Sequence, residues 1–130
     1  MHAFPLTSLA TLVAAAVYIW TLVNVGSARV RTGVQAPAVS GNEEFERYYR
    51  VQMNTVEQIV VLIPLLGLCA AWVGDFWGAV GGLTWSLGRV IYARAYYTDP
   101  KKRGPGFGIS ALPILAMLIA VLVAAARSLV

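Results

Sequence analysis

The sequence predicts an all-α membrane protein built as a bundle of four transmembrane helices. The 130-residue chain is 58% hydrophobic and only 12% charged, whereas a soluble domain of this size carries about 25% charged residues. It contains four long apolar runs, and about 20 apolar residues suffice to cross a bilayer. The polar and basic residues cluster between these runs. Because four spans and short connections use nearly the whole chain, we expect residues 1–130 to form a single domain.

The first predicted helix covers residues 6–28 and the second covers residues 43–73. No lysine or arginine precedes Arg29, so the first run lacks the charged start of a cleavable signal peptide and is interpreted as a permanent span. Asn42 and the three glutamates that follow it are typical of a helix start, because acidic side chains oppose the positive end of the helix dipole. Pro64 is the expected site of a kink in the second helix.

The third predicted helix covers residues 76–97 and the fourth covers residues 109–126. A short acidic connection containing Asp75 precedes the third helix. A basic, Gly/Pro-rich loop is predicted over residues 98–108. Pro113 falls in about the first turn of the fourth helix, where proline is tolerated. The layout therefore alternates long helices with short connections.

The basic residues concentrate at one end of the predicted bundle, and only Arg127 falls at the other end. The positive-inside rule places the basic end in the cytoplasm and both termini on the opposite side, in the inner membrane if the source is bacterial. This distribution explains the net charge of +4 as a topology signal, and we expect no nucleic-acid partner. The cytoplasmic set is Arg29, Arg31, Arg47, Arg50, Arg89, Arg94, Lys101, Lys102 and Arg103.

The cysteine and histidine content excludes two kinds of site. Cys69 is the single cysteine, so the chain has neither an internal disulfide nor a multi-cysteine metal site. The one histidine is His2, at the terminus, and we expect no bound metal. Cys69 lies among leucine and alanine in the second predicted helix, where a packing role is favoured over a nucleophilic one.

Polar side chains form a stripe on each of two predicted helices. Their spacing of three or four residues places the members of each stripe on one helical face. Charged groups near membrane depth are costly and normally point into the bundle, where they pair or bind a ligand. The second helix carries Arg47, Arg50, Asn54 and Glu57, flanked by Gln52 and Gln58; the third carries Arg89, Tyr92 and Tyr96.

The two stripes hold more positive than negative charge. Arg29, Arg50 and Arg89 face one obvious buried carboxylate, that of Glu57. Guanidinium groups hold carboxylates in a bidentate manner, and amide and phenol groups add directional hydrogen bonds. The stripes therefore predict a pocket for a small polar anion that enters from the cytoplasm. The plainer alternative is that Glu57 pairs with one arginine and the remaining cations reach the lipid headgroups.

Two segments resemble the MAPEG family, the membrane-associated proteins in eicosanoid and glutathione metabolism. They are residues 45–57, FERYYRVQMNTVE, and residues 88–98, GRVIYARAYYT. The second segment, continued through residues 99–103, DPKKR, looks most similar to microsomal glutathione transferase 3 and its bacterial relatives. The resemblance covers residues 1–126 in layout.

The resemblance implies a homotrimer of four-helix subunits that holds glutathione, the co-substrate, between neighbouring subunits near the cytosolic face. It also implies that Arg103 activates the thiol. As a hypothesis about mechanism, Tyr96 is a second donor to the sulfur. The positions that match glutathione-binding residues are Arg29, Arg50, Gln52, Asn54, Glu57, Arg89, Tyr92 and Tyr96. Val30 and Gln58 replace an arginine and a tyrosine of leukotriene C4 synthase, which argues against leukotriene synthesis.

These observations predict a membrane-bound glutathione transferase that joins the glutathione thiolate to a lipophilic electrophile in the bilayer. Reduction of a lipid hydroperoxide is a close variant, because the same thiolate then attacks oxygen instead of carbon. One alternative is a non-catalytic lipid-binding scaffold of the same family. Another is a small multidrug exporter that uses Glu57 for proton coupling, which is disfavoured because a pocket with several arginines repels cationic drugs.

Overall fold

The computed structural model describes residues 3–130, and in that range the chain is all-helical with no strand. The predicted all-α, four-helix fold is confirmed. The four long helices alternate in direction, and a short 3-10 helix, called the 3-10 segment below, joins the last two. The elements are α1 (Pro5–Thr32), α2 (Glu43–Trp72), α3 (Asp75–Thr98), the 3-10 segment (Pro100–Arg103) and α4 (Gly104–Arg127).

Local sequence accounts for the ends of α1 and α2. The Asn42 side chain caps α2, where its Oδ1 accepts from the Phe45 backbone N–H at 3.1 Å. This satisfies one of the backbone donors that every helix start leaves free. After α1, Gly33 has a φ of 73°, a left-handed conformation that glycine adopts without steric cost. The connection between α1 and α2 is therefore confined to residues 33–42.

The prediction of a loop over residues 98–108 is wrong for its second half. The 3-10 segment is capped by Asp99, whose Oδ1 accepts from the Lys101 N–H at 3.0 Å, and it leads directly into α4 at Gly104. Pro105 lies in the first turn of α4. Backbone N–H groups in a first turn have no partner within the helix, so a proline there costs no hydrogen bond. Glycine and proline thus belong to a helix start here, and α4 begins earlier than the predicted residue 109.

Both α2 and α3 pack against all of the other long helices. The main apolar cluster contains the fully buried side chains of Leu62, Leu66 and Trp85. The α3–α4 contact is the tightest in backbone terms: a Cβ added at Gly88 would lie 2.5 Å from the Ser110 nitrogen. This close approach brings the beginning of α4 against the last three turns of α3.

At the opposite end of the bundle, Asp75 joins the beginnings of α3 and α1. Its carboxylate oxygens accept from the backbone N–H groups of Leu6 at 3.0 Å and Thr7 at 2.7 Å. The Thr7 hydroxyl donates to the Asp75 carbonyl oxygen at 2.9 Å. Because Phe4 provides no side-chain cap for α1, the cap comes from another helix, and it fixes α1 relative to α3.

Three stretches are long and apolar enough to cross a membrane, namely Pro5–Thr32, Glu43–Trp72 and Pro100–Arg127. Their outer surfaces carry exposed leucines, such as Leu12 (65% exposed) and Leu122 (66%), which suits contact with lipid. The remaining helix, α3, is not among the three. A fourth span and the orientation of the bundle therefore stay predictions.

Candidate functional site

A polar pocket of about 370 Å³ opens at the end of the bundle that holds the α1–α2 connection and the 3-10 segment. It receives side chains from α2, α3, the 3-10 segment and the first turn of α4. Five of its six lining residues were predicted from the sequence, and Phe107 was missed. The lining residues are Arg50, Asn54, Tyr92, Tyr96, Arg103 and Phe107.

The lining of this pocket is rich in hydrogen-bond donors and contains no carboxylate. Within residues 3–130, the ion pairs shorter than 4.0 Å are Arg31–Glu44 and Arg47–Glu43, so neither Arg50 nor Arg103 has a carboxylate partner. Guanidinium groups without a counter-charge favour an anionic ligand. The structure thus brings together the kind of pocket that the charge imbalance predicted, with fewer arginines than expected.

Arg89 does not line the pocket but lies behind it, fully buried. Its Nη1 donates to Asn54 Oδ1 at 3.0 Å and its Nη2 donates to Thr55 Oγ1 at 2.8 Å. The guanidinium carbon sits 4.1 Å from the centre of the Tyr92 ring, within the range of a cation–π interaction. Arg89 therefore contacts two pocket residues, Asn54 and Tyr92, from their inner side.

Asn54 connects this buried arginine to Glu57. The Asn54 Nδ2 donates to Glu57 Oε2 at 3.2 Å, one helical turn further along α2. The Glu57 side chain is exposed and does not line the polar pocket. Glu57 thus lies on the surface of α2 beside the pocket, where one of its carboxylate oxygens is held by Asn54.

Arg29 and Gln52 are not brought into the pocket of their own chain. Arg29 donates to the carbonyl oxygens of Ala38 at 2.8 Å and Val34 at 3.3 Å. Its guanidinium also stacks over the Phe45 ring at 4.5 Å. These contacts hold the α1–α2 connection against α2. Gln52 is half-buried on α2 and is not among the residues that line the polar pocket.

A second polar groove, of about 480 Å³, adjoins the pocket and shares Arg50 and Tyr96 with it. Its walls come from the α1–α2 connection, from the first turns of α2 and from Pro100. Here Arg47 Nη1 lies 3.4 Å from the carbonyl oxygen of Thr98, to which it donates. Since Arg50 and Tyr96 stand between the two cavities, they can contact a ligand from either side.

Gln58, the residue after Glu57, points toward the core. Its Oε1 accepts from Nε1 of the fully buried Trp85 at 2.9 Å. A buried indole N–H needs such an acceptor. The residue after Glu57 is therefore committed to packing between α2 and α3.

Cys69 is buried in the main apolar cluster beside Leu65 and Leu66. It also borders an apolar groove of about 480 Å³ between α3 and α4, whose walls include Trp77 and Met117. No group of three or more His, Cys, Asp or Glu side chains that could hold a metal occurs in residues 3–130. His2, the one histidine of the sequence, lies outside the described residues.

The fold and the pocket together define a membrane-associated helical bundle with an arginine- and tyrosine-lined polar site at one end. Comparison with known families then identifies the group: the chain belongs to the MAPEG family, whose sequence model matches residues 7–123. The resemblance of the two motif segments to that family is therefore confirmed.

Several known proteins are similar to this chain. An uncharacterised protein of Synechocystis is 40% identical over 88% of this chain and 84% of its own length. Human microsomal glutathione S-transferase 2 is 39% identical over 72% of this chain and 63% of its own length. Bovine leukotriene C4 synthase is 30% identical over 59% of this chain and 51% of its own length. The chain thus matches less than two thirds of the human transferase, and the likeness to microsomal glutathione transferase 3 stays a prediction.

Proposed function

We propose that this protein is a membrane-bound glutathione transferase, which binds glutathione in the polar pocket and joins its thiolate to a lipophilic electrophile. The observation that carries the proposal is the pocket itself, where Arg50 and Arg103 lack carboxylate partners among the described residues. The chain belongs to the MAPEG family and is similar to the human and mouse microsomal glutathione S-transferase 2, which supports the same function.

The chemistry of the lining suits a tripeptide with two carboxylates and a thiol. Arg50 and Arg103 provide cations for carboxylate or thiolate groups, and Asn54, Tyr92 and Tyr96 provide directional hydrogen bonds. A small anionic ligand with several polar groups can use all of these donors at once. A simple inorganic anion would leave most of them unused.

In the proposed mechanism, Arg103 stabilises the thiolate of bound glutathione. A free thiol has a pKa of about 8.5, and a neighbouring cation lowers it by one or more units. Arginine keeps its proton in proteins, so Arg103 acts by charge and hydrogen bonding and not as a base. The thiol proton passes to solvent through the open mouth of the pocket. Tyr96 is the proposed second donor to the sulfur.

The second reactant is proposed to be a lipophilic electrophile dissolved in the membrane. Three stretches of the chain are apolar enough to cross a bilayer, which supports a reactant that arrives through lipid. When the electrophilic atom is the oxygen of a lipid hydroperoxide, attack by the thiolate reduces the peroxide to an alcohol. A second glutathione then resolves the sulfenic product to the disulfide and water.

The homotrimer implied by the resemblance belongs to this proposal. Gln52, one of the four predicted glutathione-binding side chains that lie outside the polar pocket of their own chain, is half-buried on α2. This placement favours a ligand that lies between subunits and meets Gln52 of a neighbour. Cross-linking in a native-like bilayer, followed by mass measurement of the complex, tests the number of subunits.

Two measurements on the detergent-solubilised protein test the function. Calorimetric titration with glutathione measures binding, and the ultraviolet thiolate band measures activation of the thiol. Conjugation of a chlorinated aromatic and reduction of a lipid hydroperoxide are then assayed side by side.

Binding with a thiolate band and turnover supports the proposal. Binding without either favours the lipid-binding scaffold, and absence of binding refutes a glutathione site. Membership of the MAPEG family argues against the multidrug exporter.

A further inference from the structure

We propose that Arg89 is a positioning residue, whose buried guanidinium fixes the orientation of the Asn54 amide and so keeps Glu57 as an acceptor at the edge of the site. Arg89 would then shape ligand binding without touching the ligand. This inference rests on the proposed function only in using glutathione as the binding probe.

The surroundings of Arg89 are unusual for a charged side chain. It is fully buried on α3, and no carboxylate of residues 3–130 lies within 4.0 Å of it. Its partners are an amide oxygen, a hydroxyl oxygen and an aromatic face. Its Nε is buried without any acceptor in the described part of the chain. Burial of a cation without a counter-charge is costly, so a purely packing role would be filled better by an apolar side chain.

Arg89 removes the ambiguity in how Asn54 is turned. An asparagine amide has an acceptor and a donor end that can exchange places, whereas a guanidinium has donors only. The orientation with Asn54 Oδ1 toward Arg89 is therefore favoured. In the reversed orientation the N–H groups of the Asn54 amide would face the N–H groups of the guanidinium. As a consequence Nδ2 faces Glu57 Oε2, at 3.2 Å.

Thr55 supports the same arrangement from the inner side. Its hydroxyl donates to the carbonyl oxygen of Val51 at 2.7 Å, so its hydrogen is committed to the backbone of α2. The lone pairs of Thr55 Oγ1 are left to accept from Arg89 Nη2 at 2.8 Å. The guanidinium is thus held at two points, and its position relative to Asn54 is fixed.

The resulting chain of donors runs from Arg89 through Asn54 to Glu57. It holds Glu57 Oε2 and leaves the second oxygen, Oε1, free to accept from a donor of the ligand. The site then has two parts: the polar pocket, with Arg50 and Arg103 for anionic groups, and Glu57 at its edge for a cationic one. Such a site discriminates in favour of a zwitterion, for example a peptide with a free ammonium group.

The test compares two ligands that differ only in the ammonium group, glutathione and its deaminated analogue, in which a glutaryl group replaces the γ-glutamyl group. In Arg89→Met we expect the affinity for glutathione to fall by about tenfold to a hundredfold, the effect of losing a hydrogen bond to a charged group. The affinity for the deaminated analogue should stay unchanged. Glu57→Gln should show the same selective loss. The matched control is Arg94→Met, because Arg94 lies exposed on the same helix and lines neither the polar pocket nor the adjoining groove.

An equal loss for both ligands would mean that Arg89 has a general structural role, and unchanged affinity for both would mean that it has none; either result overturns the proposal. If Arg89→Met does not fold, Arg89→Lys takes its place, because it keeps the charge but cannot span both acceptors.

A ligand-free measurement separates this proposal from the proposed function. Thermal unfolding of Arg89→Met, Asn54→Leu and the double variant forms a double-mutant cycle. If the wild-type protein does not bind glutathione, the proposed function fails while the cycle still decides on Arg89. Coupled losses show that Arg89 holds Asn54, as the proposal requires, and additive losses overturn the proposal.

Discussion

Gly106 of α4 lies against the backbone of Tyr92 of α3, so closely that a Cβ at position 106 would overlap the Tyr92 nitrogen. The two residues bring the helix that follows Arg103 into contact with the helix that carries Tyr96. Because the polar pocket is lined from both helices, its shape depends on the absence of a side chain at position 106.

Replacement of Gly106 by alanine should therefore destabilise the fold and widen the pocket. Forcing a methyl group into a tightly packed contact typically costs about 1–3 kcal/mol, which should appear as a lower midpoint of thermal unfolding in detergent. Gly108→Ala is the matched control on the same helix, since nothing lies within 4 Å of a Cβ there. Alanine is the better helix former, so this control should be as stable as the wild type or more stable. Equal midpoints for the two variants would contradict the close contact.

Arg103→Ala should retain glutathione binding within a few-fold but lose the thiolate band and most turnover. Loss of one group that stabilises developing or ionised charge lowers the rate by roughly a hundredfold or more. The band is measured by ultraviolet difference spectra with glutathione, and the rate with a chlorinated aromatic. Lys102→Ala is the control, because Lys102 is exposed and lines neither the polar pocket nor the adjoining groove. Normal turnover in Arg103→Ala would show that another residue activates the thiol.

In Arg50→Ala the affinity for glutathione should fall by roughly tenfold to a hundredfold. This is the range expected when a hydrogen-bonded charge is removed. The effect should be larger than for Arg103→Ala because Arg50 lines both polar cavities and has no role assigned at the sulfur. Arg94→Ala, which removes an exposed charge from α3, serves as the control in the same calorimetric titration. Similar affinities for the two variants would remove Arg50 from the site.

Gln58→Leu should destabilise the protein by about 1–3 kcal/mol, because it leaves the buried N–H of Trp85 without its acceptor. In the background of Trp85→Phe, which has no such N–H, the same substitution should have a much smaller effect. Thermal unfolding of the two single variants and the double variant measures the difference. Additive losses would show that the hydrogen bond contributes little.

The four helices could be predicted because each contains a run rich in apolar residues, although α3 is not among the stretches that are apolar enough to cross a membrane by themselves. The start of α4 could not. Residues 104–108 read as a loop from their glycine and proline content, yet Gly106 is needed for contact with the backbone of α3. Glycine is required there because the backbone of Tyr92, which is distant in the sequence, packs against it. Local helix propensity cannot reveal such a contact.

The sequence predicted which residues of the polar site share a helical face, but it did not predict how deeply each of them is buried. Helical spacing places Arg89, Tyr92 and Tyr96 on one face, and the structure keeps the two tyrosines in the pocket while Arg89 lies beneath them. A count of charges likewise treats every arginine as free. Arg29 is instead occupied by the carbonyl oxygens of the α1–α2 connection, and such backbone acceptors cannot be read from residue types.

The hydrogen bond between Gln58 and Trp85 has a consequence for the evolution of the family. A tyrosine at position 58 carries a ring where Gln58 places an amide oxygen, so it would crowd the indole and compete for the same space. Relatives with tyrosine after the glutamate should therefore carry a residue other than tryptophan at the position of Trp85. Co-variation of these two positions across many members would mark which branch of the family a new sequence belongs to before any assay is made.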